Sequence, residues 1–331
     1  MSESKCLWCG KIIDNTKWRC PNCGCEIKET RKARKEGDIT WLCSIVEGKL
    51  FRFRIEGKKL LAVYNGESGV NTPRTLEIPS GIEIIGKSAF ANCDEANYYL
   101  QAIKIPKSVK IVEEGAFAYF QGWFAVEEAC QGVKLVDGIL YSGDGKMLLK
   151  ASNEIVGKDV VIPEGVEKIG KRAFHGLKPK SIKLPNTLKV IGEDVFSAIR
   201  FDTIELPELL EVIEKDAFSS SELKEIYLPK NLRKIGQTAL GYALEKIKIS
   251  EENNYFKVID GVLFSKSGKR LILVERVKTG DYEIPKEVTS VDLGAFARLN
   301  LSVLTVYPHV KFHELDKFDF LGGKECEKVI K

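Results

Sequence analysis

Long apolar runs are missing from this chain. No stretch of its 331 residues approaches the roughly 18 that a membrane-spanning helix requires, so that class of membrane protein is excluded. A signal peptide is missing from the sequence as it stands, because Met1 to Cys6 places an acid, a charge and a cysteine where a basic stretch and an apolar core would be. Evenly spread cysteines are missing too. Five of the nine lie between Cys6 and Cys25, while Cys43, Cys93, Cys130 and Cys326 are scattered, which argues against a secreted disulfide scaffold. These absences lead us to expect a soluble, cytoplasmic chain with one metal site and no membrane partner.

Catalytic patterns are equally scarce. There is no G-x-S-x-G, and His175, His309 and His313 form no motif; His309 and His313 are four apart, but no E-x-x-H or third ligand accompanies them. The segment Gly81 to Ser88 does fit the phosphate-loop expression G-x4-G-K-[ST]. The residues between its glycines are apolar strand formers, and the same spacing returns at Gly165 and Gly170, so it belongs to a repeat and not to a nucleotide site. No enzymatic activity is expected.

The repeat dominates what is present. Ile162-Pro163 runs to Phe174, and the pattern returns as Leu184-Pro185 to Phe196, Leu206-Pro207 to Phe218 and Leu228-Pro229 to Leu240, with prolines 22 residues apart. Further copies run from Ile78-Pro79 to Phe90, Ile105-Pro106 to Phe117 and Ile284-Pro285 to Phe296. In all seven, the proline and the terminal residue are 11 apart, and Leu240 alone replaces the phenylalanine. Alternation at Ile182-Lys183-Leu184 predicts a short strand that Pro185 ends, because proline has no N–H for a ladder. Leu188 and Ile191 form a second apolar pair, Gly192 turns the chain, and Val195-Phe196 is expected to begin a short helical turn. One such unit cannot bury its own apolar face, but a stack can.

This I-P-x-x-[VL]-x-x-[IV] core, followed by G-x-x-[AV]-F, resembles the BspA-like leucine-rich repeats over about residues 75–300. The resemblance implies an α/β repeat solenoid, strand-rich with short helical turns, whose relatives are interaction or surface proteins, often described as adhesins. Two inserts interrupt the rhythm, near 137–150 and 260–273. They share Asp137-Gly138-Ile139-Leu140-Tyr141-Ser142 and Asp260-Gly261-Val262-Leu263-Phe264-Ser265, which lie 123 residues apart and read as β-hairpins. Residues 38–74 read as an N-terminal hairpin cap and 301–331 as a C-terminal cap and tail.

Ahead of the repeats, Cys6-Leu7-Trp8-Cys9-Gly10 and Cys20-Pro21-Asn22-Cys23-Gly24 form two C-x-x-C-G knuckles. Each lets two thiolates converge on one tetrahedral ion, and four sulfurs suit a single structural Zn2+ with no open position. Residues 1–28 resemble the short zinc-ribbon heads of many bacterial proteins. Iron is the alternative ion, and Cys25 is an alternative to Cys23. Residues 29–37, with Arg31, Lys32, Arg34 and Lys35, read as a basic linker. Residues 1–36 carry nine Lys or Arg against five Asp or Glu, and the rest of the chain is neutral with 42 of each.

The chain is therefore expected to bind a protein partner through its repeat surface. The outward positions before each Ile/Leu-Pro are Glu77, Lys104, Lys183, Glu205, Tyr227 and Glu283, and their signs are mixed, whereas a nucleic-acid groove would be uniformly basic. Trp123 and Phe124, near Cys130 and Phe120 in the first insert, are a second candidate patch. Two alternatives stand beside this reading: a nucleic-acid-associated regulator gripping phosphate through residues 1–37, and a cell-surface adhesin by family analogy. Metal analysis of the full chain should return one zinc per chain, and a metal-free chain would refute the head.

Overall fold

The computed structural model describes residues 4–5, 12–13, 39–46, 49–65, 75–91, 100–200, 203–292, 294–312 and 327–330, and divides into two compact units, Met1–Ile155 and Val156–Lys331. Each unit is a strand-rich stack of coils. A coil of the second unit starts with the strand Ser181–Lys183, ends that strand at Pro185, turns back through a Leu188 N–H to Pro185 carbonyl bond of 3.2 Å, and makes a second strand at Val190–Ile191. Each residue of the second strand pairs in parallel with its counterpart 22 positions on, Val190 with Val212 and Ile191 with Ile213, and then Val212 with Lys234 and Ile213 with Ile235.

The helical turn expected after Gly192 does not form. Asp194, two residues before Phe196, has a φ of 58°, and the equivalent residue is left-handed in every repeat: Ser88, Gly115, Arg172, Asp216, Thr238 and Gly294. A left-handed residue cannot continue a right-handed helix. The N–H groups of Asp194, Phe196 and Ala198 donate instead to the carbonyls of Lys215, Ala217 and Ser219 in the next coil, at 3.1, 2.7 and 3.1 Å. The α part of the expected α/β class is thus corrected. Among the described residues there is no α-helix, and Asn153–Ile155 makes a 3-10 turn.

Stacking identical coils aligns identical side chains. Phe174, Phe196 and Phe218 are fully buried, with ring centroids 5.7 and 5.2 Å apart in near-parallel stacks. In the first unit Phe90 and Phe117 sit 4.9 Å apart. Leu240 occupies the same core position at 3% exposure, so the one departure from phenylalanine stays apolar.

Both inserts are three-stranded antiparallel meanders, one strand more than the hairpins expected. They comprise Val133–Val136, Ile139–Ser142 and Met147–Ala151 in the first unit, and Phe256–Ile259, Val262–Ser265 and Arg270–Val274 in the second. Asp137 and Asp260 share a φ of 48°, and the register shifts after Leu140 and after Leu263, so the 123-residue relation extends to the backbone. In the second meander the last strand takes over a coil's short strand, pairing Arg270 with Ser290 and Leu271 with Val291. Fully buried Asn253 anchors it: Nδ2 donates to the carbonyls of Pro229 and Leu232, and Oδ1 accepts from the N–H groups of Tyr255 and Phe256. Cys130, 123 residues earlier, contacts the Val109 carbonyl through Sγ at 3.5 Å.

The ends also differ from expectation. Ile39–Val46, Lys49–Glu56 and Lys59–Asn65 form a three-stranded meander whose last strand pairs in parallel with Ile84–Ile85. At the other end the coil pattern runs past residue 300. Asn300–Val306 pairs in parallel with Thr279–Glu283, and Lys311–Phe312 with Ser290–Val291, around Pro308 at a spacing of 23 from Pro285. Cys6, Cys9, Cys20, Cys23 and Cys25, and the linker 29–37, lie outside the described residues.

Close coil contact makes Gly236 irreplaceable: a Cβ there would lie 2.4 Å from the Lys215 nitrogen, against backbone that other ladder bonds hold in place. Gly236→Ala is expected to cost about 2–4 kcal/mol. A thermal unfolding midpoint equal to that of the wild type would show the contact to be unimportant.

Candidate functional site

Coil stacking arranges surface residues in rows, one residue per coil, with neighbours a strand spacing of about 4.8 Å apart. Two of these rows carry charge, and they behave differently.

The first row, beside the short strands, alternates in sign and neutralises itself. In the first unit Glu83 lies between Lys58 and Lys110, accepting at 2.5 and 2.9 Å. In the second, Glu167, Lys189, Glu211 and Arg233 follow at 22-residue steps, with bonds of 2.9 Å from Lys189 to Glu167 and from Arg233 to Glu211. The hydrogen bonds from Lys58 and Lys110 hold the Glu83 carboxyl below its ordinary range, and the bond to Glu167 raises Lys189. Surface pairs of this kind are each worth between nothing and about 1 kcal/mol. This row is legible at the repeat period, yet reading only the positions before each proline passes over it.

The second row contains those positions before the prolines. Glu77 and Lys104 are brought together and pair at 3.2 Å, and Lys104 also approaches Glu127 at 3.6 Å. Glu283 accepts from the Tyr307 hydroxyl. Lys183, Glu205 and Tyr227 are exposed, and among the described residues no hydrogen bond or ion pair engages their side chains. Lys183 and Glu205 line a groove of about 810 Å³ together with Ile182, Leu184, Leu206 and Pro207. Nearby charges are taken: the Ser181 hydroxyl and Lys180 hold Asp159 below its usual range, and Lys248 does the same to Glu225. The free side chains therefore cluster in the second unit.

The aromatic patch of the first insert is divided. In the strand Trp123–Val126, Trp123 is 49% exposed, whereas Phe124 is 5% exposed and packs edge-on against Phe117 and Phe120 at 5.0 and 5.2 Å. Consecutive residues of a strand face opposite sides, so only one of the pair can belong to a surface. Phe124 is a core residue, and its assignment to the partner surface is corrected.

Burial, then Asp137, pushes the Tyr141 phenol up to about 12; burial, then Asp260, does the same to Tyr282. The segment from Gly81 to Ser88 contains the strand Ile84–Ile85, and its Gly86 N–H donates to the Leu60 carbonyl, so it has no phosphate cradle. Among the described residues, no group of three His, Cys, Asp or Glu could hold a metal, and no helix is long and apolar enough to cross a membrane. His309 bonds the Lys286 carbonyl through Nε2 and stacks on Tyr307.

A family model described as BspA type leucine rich repeat region matches in six copies, over residues 70–123 and 153–269. Among solved structures, the chain is similar to the pneumococcal vaccine antigen PcpA, at 22% identity and a TM-score of 0.40, covering 83% of this chain and 64% of that one. It is similar to a leucine rich cell surface protein from Faecalibacterium prausnitzii, at 18% and 0.43, covering 82% and 72%. A leucine-rich repeat protein from Eubacterium ventriosum matches at 18% and 0.34, covering 81% and 60%. The chain thus spans less than two thirds of the first and third of these. No curated protein matches. The cytoplasmic location expected from the sequence is corrected, because two of these proteins are described as a cell surface protein and a vaccine antigen. That expectation leaned on where the sequence begins and on thiols outside the described residues, and neither fixes a compartment.

Carboxylates held low in the folded chain contribute stability above their unfolded values and lose it as pH falls through the lowered ones. For Glu83, Glu113, Asp159 and Glu225 the unfolding midpoint should be level between about pH 5 and 7 and fall as the pH drops below about 4. A midpoint unchanged down to pH 3 would contradict the pairing.

Proposed function

Because the chain belongs to the BspA-type leucine-rich repeat family, we propose that it is a non-catalytic protein-binding module that meets its partner through the row containing Lys183, Glu205 and Tyr227. One observation carries this reading. Charges along the short-strand row are satisfied within the chain, while these three exposed side chains are not engaged among the described residues. Ordered, exposed groups with no internal partner bind without first breaking an internal contact, and a tyrosine in one row with opposite charges suits a protein interface.

The location that fits is outside the cell or on its surface, following what the solved proteins above are described as, and an adhesive role is the finer form of the reading. The mixed signs of Lys183 and Glu205 speak against a polyphosphate partner. For the head, Cys6, Cys9, Cys20 and Cys23 would hold one structural zinc. Antiparallel pairing of Ser4–Lys5 with Ile12–Ile13 supports this, since it brings together the chain on the two sides of the first cysteine pair.

The test compares the immobilised full chain with a variant carrying Lys183→Glu, Glu205→Lys and Tyr227→Ala, each exposed to the same native protein mixture. A protein held by the wild type should be lost by tenfold or more from the variant, with circular dichroism unchanged. Equal retention by both would remove this row from the interface.

A further inference from the structure

Two neighbouring coils of the second unit are zipped on one side and open on the other. Along the short strands the parallel ladder runs unbroken through Lys168–Ile169, Val190–Ile191, Val212–Ile213 and Lys234–Ile235. On the opposite side, Ser181–Lys183 pairs with Asp159–Val161, and Thr203–Ile204 pairs with Glu225–Leu228, yet these two pairs belong to separate sheets. Pro163, Pro185, Pro207 and Pro229 keep the same 22-residue step, so no inserted residue accounts for the break. The groove of about 810 Å³ lies at this break, lined from one side by residues 180–184 and from the other by residues 203–208.

Unpaired strand edges carry main-chain donors and acceptors that must find partners, and an open edge is a template for another strand. Among the described residues, two such edges face one groove. Lys183 stands beside one and Glu205 beside the other, both exposed and unengaged among the described residues. The volume falls in the range of roughly 300–1,000 Å³ that bound ligands fill.

We propose that this break receives an extended segment of the partner protein as an added strand, carrying an acid for Lys183 and a base for Glu205 on one face. The proposal rests on the reading of this row as the partner surface and narrows it. Main-chain bonds to the open edges supply binding, and the two charges set register, since side chains on one strand face recur at every second residue. A folded partner with a flat surface would leave the edges unpaired.

Phage-displayed linear heptapeptides selected on the full chain provide the probe, followed by fluorescence anisotropy of the enriched peptides after synthesis. Peptides with an acid and a base an even number of residues apart should be enriched, and Lys183→Glu or Glu205→Lys should weaken them tenfold or more. N-methylation of any central peptide amide should weaken binding to a similar degree, because the amides of a strand lying between two edges point alternately to one and to the other. No enrichment, or equal tolerance of methylation at every position, overturns the added strand. The outcomes separate the two readings. A captured protein lost from the triple variant, with no peptide enriched, leaves the surface standing and removes the strand; loss of both removes the surface as well.

Discussion

Coil-to-coil backbone hydrogen bonding governs this protein. A coil's N–H groups have their acceptors in the next coil, as Asp194, Phe196 and Ala198 show with Lys215, Ala217 and Ser219. That requirement favours the 22-residue step, and a coil of another length keeps the ladder by shifting register, as after Gly280. It also explains the left-handed residue two positions before each core phenylalanine. A right-handed turn there would direct the N–H groups along the chain into a helix, and the ladder would lose them. Ser88, Arg172, Asp194, Asp216 and Thr238 adopt this conformation without being glycine, each at a cost of about 1–2 kcal/mol that the stack must offset.

Register then organises everything placed on the coils. Phenylalanines stack because the ladder sets them one strand spacing apart. Glycine at positions such as 192 and 236 lets backbone approach backbone, with no room for a Cβ. Charges at one position become a row, and a row whose signs alternate, like Glu167, Lys189, Glu211 and Arg233, closes on itself. The same rule applied to Lys183, Glu205 and Tyr227 gives a row that does not close, at the place where the ladder itself opens. The two rows thus meet one geometric constraint in opposite ways.

Sequence reading worked where a feature recurs in register. The seven copies that end 11 residues after their proline, the paired inserts 123 residues apart and the dismissal of the phosphate-loop match all rest on that recurrence, and the coils follow it. Reading failed where local pattern and ladder compete. Val195-Phe196 resembles the start of a helical turn, but its N–H groups belong to the neighbouring coil. Trp123 and Phe124 look alike in composition, yet strand alternation sends one outward and one inward. Pro308 passed unnoticed because its step is 23 and its flanking residues differ.

The amino-acid sequence by itself determined the repeat, its period and its core, because burying Ile, Leu and Phe at fixed intervals admits few other arrangements. It also set aside the cysteine knuckles from the repeats, where the coils give no view of them. Which exposed residues pair with each other, and which are left unengaged among the described residues, was decided by the tertiary structure alone. A side chain's partner is chosen by the coil above or below it, 22 or more residues away, and by whether the strands between them close.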